Sequence, residues 1–132
     1  MKSHESAENY LETILMLSHS GQPIRSVDIA KELNYSRPSV SIAMKNLRAD
    51  GYITIDESSY IKLTESGREI AQRMYDRHML ISDWLIFLGV DRETAVNDAC
   101  RMEHTMSEQS FTAIQKHIEN WKRSIYNQKP EK

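Results

Sequence analysis

Residues 26–63 read SVDIAKELNYSRPSVSIAMKNLRADGYITIDESSYIKL and begin with the start and stop signals of two short helices. Ser26 is predicted to cap a helix that runs through Leu33, because its side chain could accept a hydrogen bond from the first helical turn. Ser36 is the predicted cap of the next helix, which carries a proline in its first turn and ends at Asp50. The connection between the two helices is too short for anything but a tight turn.

Two short strands are predicted to follow these helices directly. Residues 52–55 and 60–63 are rich in β-branched and aromatic side chains, and four polar residues separate them, a pattern typical of a hairpin. Two helices joined by a tight turn and followed by a hairpin have the order of a winged helix-turn-helix.

The sequence on either side of this stretch is predicted to be helical, because its apolar residues recur every three to four positions. The predicted helices cover residues 5–19, 64–88, 91–105 and 107–121. The expected fold is therefore mainly α, with a winged helix-turn-helix domain at residues 1–70, including a small two-stranded wing, and a helical domain at residues 71–132.

Composition limits the classes of protein that this chain can represent. Its 132 residues are too few for two independent globular domains of ordinary size, and Cys100 is the only cysteine, so no intrachain disulfide can form. We expect a cytoplasmic protein without a membrane role, because an unpaired thiol fits a reducing compartment and the N-terminal sequence lacks the pattern of a secretion signal. The net charge of −2 requires any DNA-binding site to be a local basic surface.

The helix that begins at Ser36 is the predicted DNA-reading element. Its first turns carry small hydroxyl side chains and an arginine suited to phosphates and base edges, and Ile42 could meet a thymine methyl group. The candidate DNA-binding residues are Arg25, Ser36, Arg37, Pro38, Ser39, Ser41, Ile42, Lys45, Arg48 and Lys62. The alternatives are that these charges only solvate a helix face, or that the winged helix binds a protein.

A second pattern, near residue 100, predicts a metal site. Cys100, Glu103 and His104 lie at positions i, i+3 and i+4 of a predicted helix and share one face. Sulfur, oxygen and nitrogen donors together suit a divalent transition metal better than calcium or magnesium. Further candidate ligands are Asn9 and Glu12 on the first helix and His78 on the fourth. The alternative interpretation is a buried thiol beside a surface Glu–His pair.

Several of these segments resemble one family, the iron- and manganese-dependent repressors typified by the diphtheria toxin repressor and the manganese transport regulator. The resemblance rests on residues 9–12 (NYLE), 27–30 (VDIA), 36–41 (SRPSVS), 63–67 (LTESG), 77–78 (RH) and above all 99–107 (ACRMEHTMS). It implies a winged-helix domain followed by an α-helical dimerisation domain, in a short form without a third, SH3-like domain. It also implies that metal binding favours the DNA-competent dimer.

The same resemblance assigns roles to the candidate ligands. Cys100, Glu103 and His104 fall on metal ligands of the family, and Glu12 and His78 on ligands of its manganese branch. Asn9 stands where the manganese branch has Asp and the iron branch has Met, and an amide oxygen can still coordinate. Manganese-type members carry Glu at the position of Cys100. Because a thiolate favours Fe(II), and also Co(II), Ni(II) or Zn(II), over Mn(II), we expect an iron-leaning sensor.

The expected function is a metal-dependent transcriptional repressor that binds a palindromic operator in double-stranded DNA as a homodimer. The candidate dimer contacts are Trp84, Phe87, Val90, Met102, Met106 and Phe111, which could equally form an intrachain core. The main alternative is a winged-helix transcription factor gated by a non-metal ligand. An enzyme with a Cys100–His104 pair lacks a recognisable oxyanion site, so we expect neither enzymatic activity nor a small-molecule substrate.

Overall fold

The computed structural model describes residues 2–128, and within them it contains six α-helices and one two-stranded sheet. The elements in chain order are α1 (Lys2–Ser18), α2 (Ser26–Leu33), α3 (Arg37–Ala49), β1 (Ile53–Ile55), β2 (Ile61–Leu63), α4 (Glu65–Phe87), α5 (Arg92–Thr105) and α6 (Glu108–Gln128). This order confirms the mainly α fold class with a winged helix-turn-helix. Residues 129–132 of the predicted second domain lie outside the described residues.

The start of α2 differs from the prediction. Arg25 is the N-cap, with extended backbone at φ −122° and ψ 167°, and Ser26 is already helical. The Arg25 backbone N–H donates to the Asp28 carboxylate over 2.9 Å, so an acid in the first turn reaches back to the cap. The prediction that Ser26 caps this helix is therefore wrong. The helix ends at Asn34, whose left-handed backbone (φ 59°) is one that asparagine adopts more readily than most residues.

The start of α3 confirms the predicted cap. The Ser36 hydroxyl accepts the backbone N–H of Ser39 over 3.3 Å, and a proline occupies the first turn. One side of α3 is buried through Val40, Met44 and Leu47, which leaves the opposite side available.

The hairpin is antiparallel and shorter than predicted, with three residues in each strand. The paired residues are Ile53 with Leu63, Thr54 with Lys62, and Ile55 with Ile61. The Asp56 carboxylate accepts the backbone N–H groups of Ser58 and Tyr60, both over 2.9 Å, and so organises the turn. The Asp56 N–H still donates to the Tyr60 carbonyl over 3.1 Å, but the Tyr60 N–H bonds to the Asp56 side chain instead of the backbone, and Tyr60 lies outside β2.

The last helix extends beyond its predicted end at Trp121 and reaches Gln128. Residues 122–128 (KRSIYNQ) contain neither glycine nor proline, and Pro130 is the first strong helix breaker after them. Ile125 follows Trp121 at a spacing of four, so the apolar periodicity also continues past the predicted end.

The chain divides into two compact units after Tyr75, inside α4. The predicted division after residue 70 lies in the same helix. Buried side chains from α1, α2, α3 and the hairpin form the core of the first unit, including Leu11, Ile29 and Met44. Within the residues described, no helix has the length and apolar character needed to span a membrane.

The second unit has its own core around Ile81, Ala99 and Phe111, against which Met102 and Met106 pack. Phe111 is only 7% exposed. Its burial shows that part of the predicted dimer contact is instead intrachain core.

Candidate metal centre and nucleic-acid surface

A buried carboxylate near the end of α5 lies between two imidazole rings of the second unit. Glu103 is 0% exposed, and its Oε2 lies 3.3 Å from Nδ1 of His78 on α4. Its other oxygen, Oε1, lies 3.3 Å from Nε2 of the neighbouring His104. The two histidine side chains are 13% and 10% exposed. The structure thus brings together three of the six predicted ligands.

The chemistry of this cluster fits a divalent transition metal. A carboxylate removed from water needs a compensating positive charge, which a bound cation would supply at the oxygens of Glu103. Oxygen from a carboxylate and nitrogen from two imidazoles are donors that Fe(II), Mn(II), Co(II) and Zn(II) all accept. His78, Glu103 and His104 would therefore hold the ion.

Arg77 fastens the end of α5 to α4. Arg77 is 5% exposed, and its guanidinium donates to the backbone carbonyls of Glu103 (3.0 Å) and Met106 (3.3 Å). It also donates to the Glu108 carboxylate (2.8 Å) and lies 4.7 Å above the Phe111 ring. Because Glu108 is 71% exposed, its ion pair adds little, and the bonds to the carbonyls do most to hold the carboxylate-bearing turn.

The opposite end of α5 is held by a side-chain cap. The Asp91 carboxylate accepts the backbone N–H of Thr94 over 3.1 Å and its hydroxyl over 2.8 Å. These bonds to Thr94 lower the pKa of Asp91 below its ordinary value. Because the folded-state pKa is depressed, the cap stabilises α5 above the unfolded pKa of an aspartate, and this contribution is lost as the pH falls through the lowered value.

The other three predicted ligands are placed as follows. Cys100, one turn before Glu103 and His104 on α5, is exposed. Asn9 and Glu12 lie on α1 in the first unit, where Asn9 is half-buried and Glu12 is 4% exposed. A nearly buried carboxylate on α1 is unusual for a helix surface, so Glu12 stays a candidate ligand.

All ten predicted DNA-binding residues are exposed, and most of them lie on α3 opposite its buried side. Arg25 lies 4.8 Å from the centre of the Tyr60 ring, a cation–π contact that orients its guanidinium at the wing. Lys62 is exposed on β2. The Ser36 hydroxyl lies 2.9 Å from that of Ser39, so both side chains also help to hold the start of α3.

Three residues of these sites were not predicted. The sequence points to Arg77 only through its position next to His78 in a motif of the resembling family. The sequence pattern places Tyr60 in a strand and does not indicate that its ring supports Arg25. Asn46 lies four residues after Ile42 on the exposed side of α3, so helical spacing alone could have found it.

Two family models match consecutive parts of the chain. Residues 2–61 match "Iron dependent repressor, N-terminal DNA binding domain", and residues 64–130 match "Iron dependent repressor, metal binding and dimerisation domain". The chain belongs to the iron-dependent repressor family. Members of this family are metal-dependent DNA-binding transcriptional regulators and not enzymes. The buried cluster of His78, Glu103 and His104 falls within the metal-binding part of the match, and α3 within the DNA-binding part.

Curated relatives agree with this membership. An HTH-type transcriptional regulator of Methanocaldococcus jannaschii is 34% identical over 92% of this chain and 98% of its own length. The transcriptional regulator MntR of Escherichia coli is 35% identical over 83% of this chain and 71% of its own length. The MntR of Bacillus subtilis is 34% identical over 83% of this chain and 77% of its own.

Solved structures of the same kind share the fold. The manganese regulator SloR superimposes with a TM-score of 0.75 at 28% identity and covers 86% of this chain. The IdeR of T. acidophilum superimposes with a TM-score of 0.72 at 27% identity, again over 86% of this chain. This chain spans only 53% of the length of each of these two proteins.

Proposed function

We propose that this protein represses genes of metal homeostasis and binds its operator more tightly when a divalent transition metal is bound. The observation that carries the proposal is the buried Glu103 carboxylate between His78 and His104, within the part of the chain that matches the family's metal-binding domain. Such a cluster supplies oxygen and nitrogen donors that a transition metal prefers. The basic, exposed side of α3 supplies the complementary DNA-binding surface.

The metal that we propose is Fe(II), with Mn(II), Co(II), Ni(II) or Zn(II) as competitors. Asn9, Glu12 and Cys100 complete the proposed ligand set on the basis of the sequence. A thiolate from Cys100 would favour Fe(II) over the harder Mn(II). Relatives are described with different ions, since SloR is a manganese regulator and one ScaR structure holds Zn²⁺.

The proposed partners are a palindromic operator and a second copy of the same chain. Two copies related by a two-fold axis present two α3 helices, and their separation must match half-sites about one helical turn apart or a multiple of it. Such a complex forms in the cytoplasm, where the operator is. Arg25 and Lys62, both exposed, would contact phosphates at the flanks of each half-site.

We propose that the copies meet through an apolar patch where α4 ends beside α6. The patch consists of Trp84, Phe87, Leu88, Trp121 and Ile125, with Asp83 and Lys122 at its edge. Phe87 is 60% exposed although its ring lies 4.1 Å from that of Trp121, and Leu88 is 58% exposed. An exposed patch of this kind marks an interaction surface. In a two-fold contact, Asp83 of one copy can face the oppositely charged Lys122 of the other.

Phe87→Asp is expected to convert the dimer into a monomer, because it buries a charge at the centre of this contact. Sedimentation equilibrium measures the change directly, and operator affinity should fall with it. Met16→Asp, at an apolar side chain of the first unit that is 44% exposed, is the matched control and should remain dimeric. A Phe87→Asp protein that dimerises like the wild type would refute the proposed contact.

Metal dependence is tested by an anaerobic titration of operator affinity against Fe(II), Mn(II), Co(II) and Zn(II). We expect Fe(II) and Co(II) to raise the affinity about 5- to 150-fold, the usual range of allosteric coupling, and removal of the metal with a chelator to reverse it. Cys100→Glu replaces the thiolate with a harder donor and should shift the preference toward Mn(II).

The outcomes of this titration separate the parts of the proposal. No effect of any ion on operator affinity would overturn metal gating and favour a non-metal ligand. A stronger response to Mn(II) than to Fe(II) would overturn the iron assignment alone. A Co(II) complex without sulfur-to-metal charge-transfer absorption would remove Cys100 from the ligand set.

A further inference from the structure

The centre of the exposed side of α3 is uncharged. Ile42 is 61% exposed and points away from the buried side formed by Val40, Met44 and Leu47. At 100° per residue, Pro38 and Asn46, one turn before and one turn after it, lie on the same outward strip. An isoleucine exposed to this extent in the middle of a polar surface contributes nothing to the core of the first unit.

The cations of α3 lie beside this strip and at its ends. Arg37 and Arg48 are exposed about 140° and about 120° around the helix from Ile42, whereas Lys45, three residues after Ile42, lies about 60° away and borders the strip. All three can reach phosphates. No arginine or lysine lies on the line from Pro38 through Ile42 to Asn46, so a contact to guanine, the commonest specific base contact of these residues, would have to come from Lys45 at the edge of the strip. The side chains that would meet base edges first are an apolar branched group and an amide.

These two side chains suit the two bases of an A·T pair. Thymine displays its C5-methyl group in the major groove, and a branched aliphatic side chain contacts that methyl well. Adenine displays the N7 acceptor and the N6 donor, which the Asn amide matches with two hydrogen bonds. Among residues 7–125, whose side chains the structure describes, Asn46 has no side-chain hydrogen bond, while its backbone carbonyl accepts the Asp50 N–H over 3.0 Å. The amide is thus available for a base.

We infer that Ile42 and Asn46 determine the operator sequence by reading A·T base pairs, Ile42 through a thymine methyl and Asn46 through an adenine. Four residues of helix rise about 6 Å, so the two side chains address base pairs one or two steps apart in the same half-site. This inference rests on the proposed function, since it requires the protein to bind duplex DNA through α3.

The experiment begins with selection of binding sites by the full chain from a random duplex library, with and without Co(II). We expect every selected half-site to carry a thymine and an adenine at a constant separation. Each such thymine is then replaced by deoxyuridine, which removes only the methyl group. The affinity should fall about 4-fold for one half-site and about 15-fold for both. Replacing the adenine by 7-deazaadenine removes the N7 acceptor and should weaken binding by at least about 5-fold.

Two variants connect these losses to single side chains. Ile42→Ala should bind the thymine operator more weakly than the wild type does, and it should bind the deoxyuridine operator with that same reduced affinity. Asn46→Ala should bind operators that contain adenine or 7-deazaadenine with equal affinity. Both side chains are exposed, so neither change disturbs folding. Arg48→Ala, exposed on the flank of the same helix, is the matched control. It should weaken binding to all sequences alike and reduce the slope of log K against log salt concentration by about one.

The failure of this inference can be distinguished from the failure of the proposed function. Selected half-sites built on G·C pairs, or an Ile42→Ala protein that still loses affinity on deoxyuridine, would overturn the base assignment while DNA binding stands. If the library yields no bound sequence with or without metal, the proposed function fails as well. If Ile42 instead contacts a partner protein, the Ile42→Ala change will alter neither the selected sequences nor the response to deoxyuridine or 7-deazaadenine, which also overturns the inference.

Discussion

His104→Ala is expected to abolish the metal-induced increase in operator affinity. The imidazole Nε2 lies 3.3 Å from the buried Glu103 carboxylate, so its loss removes one nitrogen donor beside that carboxylate. Changes to groups that only support a metal ligand lower metal affinity 10- to 100-fold, and loss of a ligand should reach at least about 100-fold. Isothermal titration with Co(II) measures the metal affinity. Operator affinity is measured at a metal concentration that saturates the wild-type protein.

His117→Ala is the matched control for this prediction. His117 is exposed on α6, and its replacement by alanine also removes one imidazole but leaves the cluster of His78, Glu103 and His104 unchanged. We expect wild-type metal affinity and wild-type operator binding from this variant. Metal-free binding of His104→Ala to non-operator DNA should also stay at the wild-type level, because α3 is unchanged. Retained metal response in His104→Ala would mean that the ion binds elsewhere.

Gly67→Ala is expected to destabilise the protein by about 3 kcal/mol, the upper end of the range for overpacking. A Cβ atom at Gly67 would lie 2.0 Å from the Tyr52 carbonyl oxygen, a distance that forces the hairpin and the start of α4 apart. The same turn holds Thr64, whose hydroxyl donates to the Gly51 carbonyl over 2.7 Å and accepts the Gly67 N–H over 3.2 Å. Displacement of the backbone would therefore also break this network.

The sign of the effect makes this prediction decisive. At an exposed helical position, Gly→Ala stabilises by up to about 1 kcal/mol, because alanine has the higher helix propensity. Urea unfolding measures the free energy of unfolding of Gly67→Ala, and Glu69→Ala, exposed in the same helix, serves as the control that should stay within about 0.5 kcal/mol of the wild type. A stabilised Gly67→Ala protein would show that the close approach to Tyr52 does not exist.

Local patterns predicted the helices and strands well because they depend on neighbours within one turn. The serine at position 36 followed by a proline defined the start of α3, and Asp91 defined the start of α5 in the same way. Where two local patterns competed, prediction failed. The Asp28 carboxylate accepts the Arg25 backbone N–H, so Arg25 and not Ser26 is the N-cap of α2. Helix α6 continues past Trp121 to Gln128, because no helix breaker intervenes before Pro130.

The sequence by itself determined the order of the elements, the exposed side of α3 and the placement of Glu103 beside His104, since helical periodicity fixes which side chains share a face. Only the tertiary structure decided that His78, twenty-five positions before Glu103, approaches the same carboxylate, that Arg77 holds the end of α5, and that Phe111 is core. The physical reason is that contacts between helices depend on how whole faces pack, and side-chain spacing along one helix carries no information about which residues of another helix it will meet.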